Sequence, residues 1–209
     1  MKLYDYVLST DCYKVRLFAG LLGVQYDAVP VDVYPGQENK SPKFLERSPQ
    51  GKVPVLVEDD FVLDDPHAIL LYIAREHDRD RHWWPVGDTR ASSRVVQWLS
   101  FANELNHTIG ASRLHSMLGG QGIDVAQTRS DAERQITVLD DYLTDREFEG
   151  SAWLVGAKPT VADIACFPCV AVAGDGGIDV SPFRAVGRWL KNVISLEGFT
   201  PMPGVSAVR

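Results

Sequence analysis

Hydroxyl and thiol side chains cluster at the point where an aromatic-rich strand gives way to a helix. Residues 3–7 are short and strand-like, and Ser9, Thr10 and Cys12 follow at the start of the helical pattern. A hydrogen-bond donor at this place, helped by the field of a helix N-terminus, stabilises an anion such as a thiolate. Ser9 could supply the donor, with Thr10 as a substitute, or Ser9 could serve only as the cap of the helix.

The three cysteines offer a second kind of chemistry, but their positions argue against it. Cys12 lies three residues before Val15 on the apolar face of the first helix, which favours a small buried side chain over a redox nucleophile. Cys166 and Cys169 form a C-x-x-C string inside a predicted helix rather than at a strand-to-helix turn, which favours core packing. Three cysteines cannot all pair within one chain, and free thiols suit a reducing compartment, so we expect a cytoplasmic protein.

Composition argues against several kinds of partner. A net charge of −7 over 209 residues argues against nucleic acid, which requires a concentrated basic surface. No stretch approaches the roughly 20 apolar residues that span a bilayer, and residues 1–5 lack a signal region, so we expect no membrane partner. The five histidines show no metal-ligand spacing, so we expect no metal.

The first 79 residues alternate strand and helix signals. Apolar residues from Val15 to Leu22 recur at helical spacing, and Gly23 is expected to end that helix. Alternating valines over 29–33 predict a second strand, parallel to the first through a right-handed crossover. A short helix at 42–47, strands at 53–57 and 61–63, and a helix at 66–77 complete the order βαβαββα. This order predicts a thioredoxin-like domain over residues 1–79.

The remaining residues predict an all-helical domain over 89–209, joined to the first by a linker at 80–88. Apolar spacing indicates helices over 90–118 and 124–144. Thr160 stands three residues before Asp163, which is a variant of the capping box and marks a helix start. Ser181 followed by Pro182 predicts another helix start.

Three motifs occur in order along this pattern, at residues 52–56 (KVPVL), 68–72 (AILLY) and 159–165 (PTVADIA). With them, nearly the whole chain resembles the cytosolic glutathione S-transferase family, of a bacterial type with a serine or cysteine N-terminal motif. The resemblance implies an α/β thioredoxin-like domain followed by an all-α domain. It also implies glutathione as co-substrate, a homodimer and a role in detoxification.

The resemblance assigns glutathione to the first domain. It implies that Pro54 is a cis-proline and that the backbone of Val53 binds the cysteinyl part of the tripeptide. Asn39 and Lys40 match positions that hold the glycine carboxylate, and Lys52 is the other cationic candidate, although loop lysines can also be mobile and bind nothing. The side chains implied at the sulfur are Ser9, with Thr10 or Cys12 as alternatives.

One pair of residues departs from the family pattern. The family usually has an acidic residue or glutamine followed by serine at the start of the third helix, where the serine binds the γ-glutamyl carboxylate. Here the pair is Asp65 and Pro66, and proline supplies neither a hydroxyl nor an N–H. Each lost donor is typically worth ~1.5–3 kcal/mol to a charged partner. His67 could replace one donor if its ring turns inward.

A second substrate is expected to bind across the domain boundary, in a largely apolar pocket. The residues that family position suggests for its lining are Tyr13, Arg113, His115, Met117 and Phe167. The predicted activity joins the glutathione thiolate to a small hydrophobic electrophile or reduces hydroperoxides. The alternatives are a non-catalytic, transferase-like binding or regulatory protein with a weakened glutathione site, and a glutathione-dependent lyase, dehalogenase or isomerase.

Overall fold

The computed structural model describes residues 1–119 and 122–205. Four short strands form one sheet: β1 (Lys2–Asp5), β2 (Asp27–Pro30), β3 (Val55–Glu58) and β4 (Phe61–Leu63). Their order in the sheet is β2-β1-β3-β4. β1 pairs in parallel with β2, and both β1 and β4 pair antiparallel with β3.

Three α-helices accompany the sheet and complete the predicted βαβαββα order. They are α1 (Thr10–Leu22), α2 (Pro42–Leu45) and α3 (Pro66–His77), with a 3₁₀ turn at Glu38–Lys40 before α2. Gly23 ends α1 in the left-handed conformation, as predicted, and its N–H donates to the carbonyls of the last turn. β1 and β2 begin and end one to three residues earlier than predicted.

The second half is helical, which confirms the predicted combination of a thioredoxin-like domain and a helical domain. Its helices are α4 (Thr89–Leu105), α5 (Ala111–Leu118), α6 (Val125–Phe148), α7 (Val161–Ala171) and α8 (Arg184–Ile194). The predicted single helix over 90–118 is interrupted by a π-helical segment at Asn106–Gly110, between α4 and α5. Residues 206–209 of the predicted helical domain lie outside the described residues, and the division at 80–88 stays a prediction.

The predicted helix start at Ser181 and Pro182 is wrong. The carboxylate of Asp179 accepts hydrogen bonds from the Ser181 N–H and hydroxyl, both at 2.9 Å, so this serine belongs to a turn. α8 begins at Arg184, without a side-chain cap.

α7 lies at the centre of the core, and α1 and α4 both pack against it. Its capping box is present as predicted, because Asp163 accepts from the Thr160 N–H at 2.8 Å while Thr160 caps the helix. The Asp163 carboxylate also accepts from the Leu154 N–H and from the indole of Trp189. Burial raises the pKa of this carboxyl against the opposing effect of those hydrogen bonds, which leave it fully partnered.

Among the described residues, no helix is both long enough and apolar enough to cross a membrane.

Candidate functional site

A cavity of about 220 Å³ lies between the turn that joins β1 to α1 and the segment from Asn106 to Leu118. Both halves of the chain therefore contribute to one site. Five residues that the sequence singled out contribute to its wall: Ser9, Thr10, Val53, Arg113 and Met117.

Ser9 is the N-cap of α1 and also faces this cavity. Its Oγ accepts a hydrogen bond from the Cys12 N–H at 3.2 Å. Within the described residues the group to which the hydroxyl can donate is the buried Cys12 thiol, a weak acceptor, so its proton is available to a stronger acceptor on a ligand. The two alternative roles of Ser9, cap and donor, are compatible in this geometry.

Thr10 is buried, and its hydroxyl lies 3.3 Å from Oδ1 of Asn106. The amide of Asn106 has one possible orientation, because its Nδ2 is 3.0 Å from a carboxylate oxygen of Asp11, which can only accept. Oδ1 of Asn106 is therefore the acceptor, and Thr10 donates its proton to it. Thr10 and Ser9 differ in this respect, although they are neighbours in the chain.

Cys12 does not face the cavity. It is fully buried, and its Sγ accepts from the Tyr6 N–H at 3.3 Å. Burial raises the pKa of its thiol to about 12, aided by the charge of Asp5. The alternative placement of Cys12 at the sulfur of glutathione is corrected accordingly, and the expectation of a small buried side chain is confirmed.

The C-x-x-C pair is also part of the core. Cys166 and Cys169 are fully buried in α7, and burial raises the pKa of both thiols. This confirms the prediction of core packing.

A buried charged cluster lies behind the turn. Lys14 is fully buried and donates to Asp11 at 2.6 Å. Burial lowers the pKa of Lys14, but the adjacent Asp11 carboxylate outweighs it, so the pKa is raised and the ammonium stays charged. Its Nζ is also 3.3 Å from Nε2 of His67.

The tautomer of His67 follows from this contact. An ammonium group only donates, so Nε2 accepts and the ring carries its proton on Nδ1. Burial, followed by the charge of Lys14, lowers the pKa of His67 to about 4, so the ring is neutral at pH 7.

The start of α3 keeps one backbone donor despite Pro66. Asp65 is the N-cap and accepts from the Ala68 N–H at 2.8 Å, and Pro66 occupies the first helical position. The backbone N–H of His67 has no partner among the described residues, so it is the first available donor of this helix. Because the His67 ring turns inward toward Lys14, the backbone N–H of His67 is the group that can donate to a ligand at the start of α3.

The peptide bond between Val53 and Pro54 is cis, as predicted, and Pro54 is buried. Val53 lies just before β3 and faces the cavity. Its backbone N–H and carbonyl form no hydrogen bond within the described residues. Such unpaired backbone is suited to pairing with an extended peptide.

The predicted glycine-carboxylate residues lie outside this cavity. Nδ2 of Asn39 donates to the Gly51 carbonyl at 2.7 Å, and its Oδ1 is buried without a partner. Gly51 has a φ of 63°, and a Cβ there would approach the Asn39 carbonyl to 2.8 Å, so glycine permits this close packing. Lys40 and Lys52 are exposed on the loops that meet here.

Two of the predicted second-substrate residues line no pocket wall. Tyr13 and Phe167 are fully buried and pack against each other, with ring centroids 6.4 Å apart. The Tyr13 hydroxyl donates to the Thr200 carbonyl at 2.7 Å. Their helices bury these faces between the two halves, so the prediction for these two aromatic residues is corrected. His115 is half-buried on α5 and does not line the cavity.

Arg113 and Met117 do line the cavity, from α5. The Arg113 guanidinium is buried and donates to Asp175 at 2.9 Å and to the Leu8 carbonyl at 2.6 Å. Arg113 therefore ties α5 to the loop before α1. Met117 and its neighbour Leu114 are exposed and give the cavity an apolar side.

Sequence reasoning missed two polar residues of the wall, Asp11 and Asn106, and the small Gly110 beside them. Asp11 was visible as a polar residue in the first turn of α1, but its partner lies 95 positions away. Apolar lining residues that were also missed are Tyr6, Leu8, Val33, Leu114 and Leu118.

No group of three or more histidine, cysteine, aspartate or glutamate residues in the described parts of the chain is arranged to hold a metal ion.

Comparison with known families and structures identifies the chain. Residues 9–76 match the model of the glutathione S-transferase N-terminal domain, and residues 120–197 match that of the C-terminal domain. Glutathione S-transferase theta-2 of Mus musculus is 32% identical over 167 residues, which are 78% of this chain and 68% of the mouse protein. The chain belongs to the glutathione S-transferase family.

Solved structures agree with this assignment. A crystal structure of a possible glutathione S-transferase from Rhodopseudomonas palustris has a TM-score of 0.86 and 30% identity, covering 96% of this chain and 97% of that one. A glutathione transferase homologue from Lodderomyces elongisporus, solved with two glutathione molecules per subunit, has a TM-score of 0.83 and 25% identity, covering 94% of each chain.

Proposed function

We propose that this member of the family is a glutathione transferase that joins the glutathione sulfur to a small hydrophobic electrophile or reduces a hydroperoxide. The observation that carries the proposal is the Ser9 hydroxyl, which faces the cavity and meets no protein acceptor stronger than the Cys12 thiol. A free thiol has a pKa near 8.5 and is mostly protonated at neutral pH. A hydroxyl donor beside the N-terminus of α1 favours the thiolate, which is the nucleophile.

The cysteinyl part of glutathione would pair with the backbone of Val53. The unpaired N–H and carbonyl there can form two hydrogen bonds with an extended peptide, as in strand addition. Val53 and Ser9 line the same cavity, so a peptide held on Val53 presents its sulfur toward Ser9. This is why we assign the sulfur to Ser9 rather than to the buried Cys12.

The γ-glutamyl end would lie at the start of α3. Its carboxylate is attracted by the positive end of this 12-residue helix and can accept from the His67 N–H. The exposed carboxylate of Asp65 can accept from the amine of the ligand. Pro66 leaves one backbone donor where serine would add a second N–H and a hydroxyl, so we infer a weakened but working site.

The glycine end would lie near Asn39, with Lys40 and Lys52 supplying positive charge. Both lysines are exposed, so each is expected to add only a modest, salt-dependent contribution. The electrophile would occupy the apolar side formed by Leu114 and Met117.

A calorimetric titration with glutathione, followed by turnover assays with a chlorodinitrobenzene and with an organic hydroperoxide, tests this proposal. We expect binding at millimolar concentration or tighter, and turnover of at least one of the two substrates. Absence of binding at millimolar glutathione would overturn it.

Pro66 also favours a second candidate, a binding or regulatory protein that retains the fold without catalysis. The two differ in one measurement, because a regulatory protein would give no turnover above the uncatalysed reaction even where glutathione binds. A glutathione-dependent isomerase would regenerate glutathione in each turnover, whereas a lyase or dehalogenase would be identified by the product formed from its substrate.

We also propose that the protein is a homodimer in the cytoplasm. A groove of about 390 Å³ between α4 and α6 is lined by Trp98, Phe101, Val138 and Tyr142, and Val138 is 57% exposed. Arg94 and Glu104 also line it, so it combines an apolar centre with charges of both signs. Such a surface suits a self-complementary interface.

A further inference from the structure

We propose that Asn106 is a positioning residue that holds the Thr10 proton and thereby leaves Ser9 as the hydroxyl that serves the sulfur. This inference rests on the proposed function and concerns the same cavity. It names a residue of the helical half that decides which of two adjacent hydroxyls acts.

The hydrogen bonds of Asn106 have a defined direction. Its Nδ2 donates to Asp11 at 3.0 Å, so its Oδ1 faces Thr10 at 3.3 Å. The Cys169 thiol lies 3.6 Å from the same Oδ1 and is a second weak donor. With Oδ1 accepting, the Thr10 proton points at Asn106 and is not directed at a ligand.

The charge behind the amide keeps it in this orientation. The other oxygen of Asp11 accepts from the buried Lys14 ammonium at 2.6 Å, so Asp11 stays an anion that can only accept. Reversing the Asn106 amide would place its oxygen against that carboxylate and turn its NH₂ toward Thr10. The ion pair therefore fixes the amide, and the amide fixes Thr10.

The backbone around Asn106 is built to admit this contact. Asn106 begins the π-helical segment that ends at Gly110, and such widened turns are frequent at functional sites. A Cβ on residue 110 would come within 2.5 Å of the Asn106 Oδ1, so glycine provides the space for the amide. Asn106, Gly110, Thr10 and Asp11 all line the cavity.

Ser9 has no equivalent oxygen acceptor. Its Oγ receives the Cys12 N–H at 3.2 Å, and within the described residues the group that its own proton can meet is the buried Cys12 thiol, which is a weak acceptor. The two adjacent hydroxyls therefore differ in their partners: Thr10 is buried and bound by a side-chain oxygen from the helical half, whereas Ser9 caps α1 and is less buried.

Rescue of a Ser9 variant tests the inference. Ser9→Ala is expected to lower turnover about 10–100-fold, the effect of losing one hydrogen bond to a charged group. Adding Asn106→Ala releases the Thr10 hydroxyl, and we expect turnover to recover by about tenfold and the pKa of the bound glutathione thiol to fall by about one unit. Adding Thr10→Val to that pair should abolish the recovery. Asn103→Ala, an exposed asparagine on α4, is the matched control and should give no rescue.

The outcomes separate this inference from the function on which it rests. If the unmodified protein does not bind glutathione, both the proposed function and this inference are overturned. If it binds and turns over, but Ser9→Ala with Asn106→Ala is folded and no more active than Ser9→Ala alone, the role of Asn106 is overturned. If Asn106→Ala unfolds, Asn106→Leu fills the same space without an amide, and the same rescue is required of it. Full activity of Ser9→Ala would also overturn the inference.

Discussion

Nζ of Lys14 lies 3.3 Å from Nε2 of His67, and both side chains are almost completely buried. The pair joins α1, which carries the Ser9 turn, to the start of α3. It is stable only while the imidazole is neutral, because an imidazolium could not accept from the ammonium and would repel it.

This contact predicts acid sensitivity. The pKa of His67 in the folded protein is about 4, below the ordinary 6.5, so between these values the unfolded chain binds the proton more readily. The contribution of the neutral His67 ring to the free energy of unfolding is therefore complete above about pH 6.5 and is lost as the pH falls toward 4. At about 1.4 kcal/mol per pKa unit, the loss by pH 4 is on the order of 3 kcal/mol.

Urea unfolding of the native protein and of His67→Gln between pH 4 and pH 7 checks this. Glutamine keeps an acceptor for Lys14 but does not titrate, so the variant should lose less stability on acidification. His77→Gln, at the exposed end of the same helix, is the control and should keep the native pH dependence. Equal pH dependence in the native protein and His67→Gln would contradict the prediction.

The second prediction separates the two roles of Ser9. Ser9→Ala removes a helix cap, which costs ~0.5–2 kcal/mol of stability. It should also lower turnover at neutral pH by about one to two orders of magnitude, the effect of losing ~1.4–2.7 kcal/mol of transition-state stabilisation. Glutathione affinity should change less, since the proposed contact of the hydroxyl is with the sulfur alone.

Asp124→Ala is a matched control, because Asp124 caps α6 through the Gln127 N–H at 3.0 Å and does not line the cavity. It should lose comparable stability and keep its turnover. Thermal unfolding and steady-state kinetics on both variants measure the two effects. Equal turnover losses in the two variants would mean that Ser9 acts only as a cap.

Much of the fold could be predicted from local patterns, since apolar spacing and turn residues act over a few positions. Gly23 and the capping box of Thr160 were predictable in this way, whereas the cis bond before Pro54 was implied by the resemblance to the family. The π segment was not, because the apolar residues on both sides of Asn106 keep helical spacing through it.

The site was harder to predict, because its contacts depend on how the two halves meet. Tyr13 is on the predicted helix, but whether its face meets a cleft or the core depends on α7, which buries it. The bond between Asp11 and Asn106 joins residues 95 positions apart, and no local signal marks it. The role of Ser9 as a helix cap was predictable, because it depends on the adjacent helix start alone.

The third prediction concerns assembly. If the groove between α4 and α6 is the dimer interface, Val138→Glu should bury a charge there and dissociate the dimer. Sedimentation at micromolar concentration should then change from about twice 23.2 kDa to the monomer mass. Phe148→Glu, at the highly exposed end of the same helix, should stay dimeric. If the native protein already sediments as a monomer, the proposed dimer and its interface are wrong.

The last prediction concerns Pro66. Proline at the first position of α3 leaves the His67 N–H as the first backbone donor, so Pro66→Ser adds an N–H and a hydroxyl where the γ-glutamyl carboxylate would lie. We expect glutathione to bind several-fold more tightly, because hydrogen bonds to a charged group are worth ~1.5–3 kcal/mol and part of this is offset by ordering the side chain. The fold should be retained, since serine is tolerated in a first helical turn. Calorimetric titration of the native protein and the variant measures the difference.

Pro42→Ser is the matched control, because Pro42 occupies the same first position in α2, after the Ser41 cap. It makes the same chemical change at another helix start and should leave glutathione affinity unchanged. If Pro66→Ser weakens binding while Pro42→Ser does not, proline itself shapes a site in which the His67 N–H and Asp65 already suffice. If both substitutions tighten binding equally, the effect comes from general loosening of the domain and the carboxylate does not lie at the start of α3.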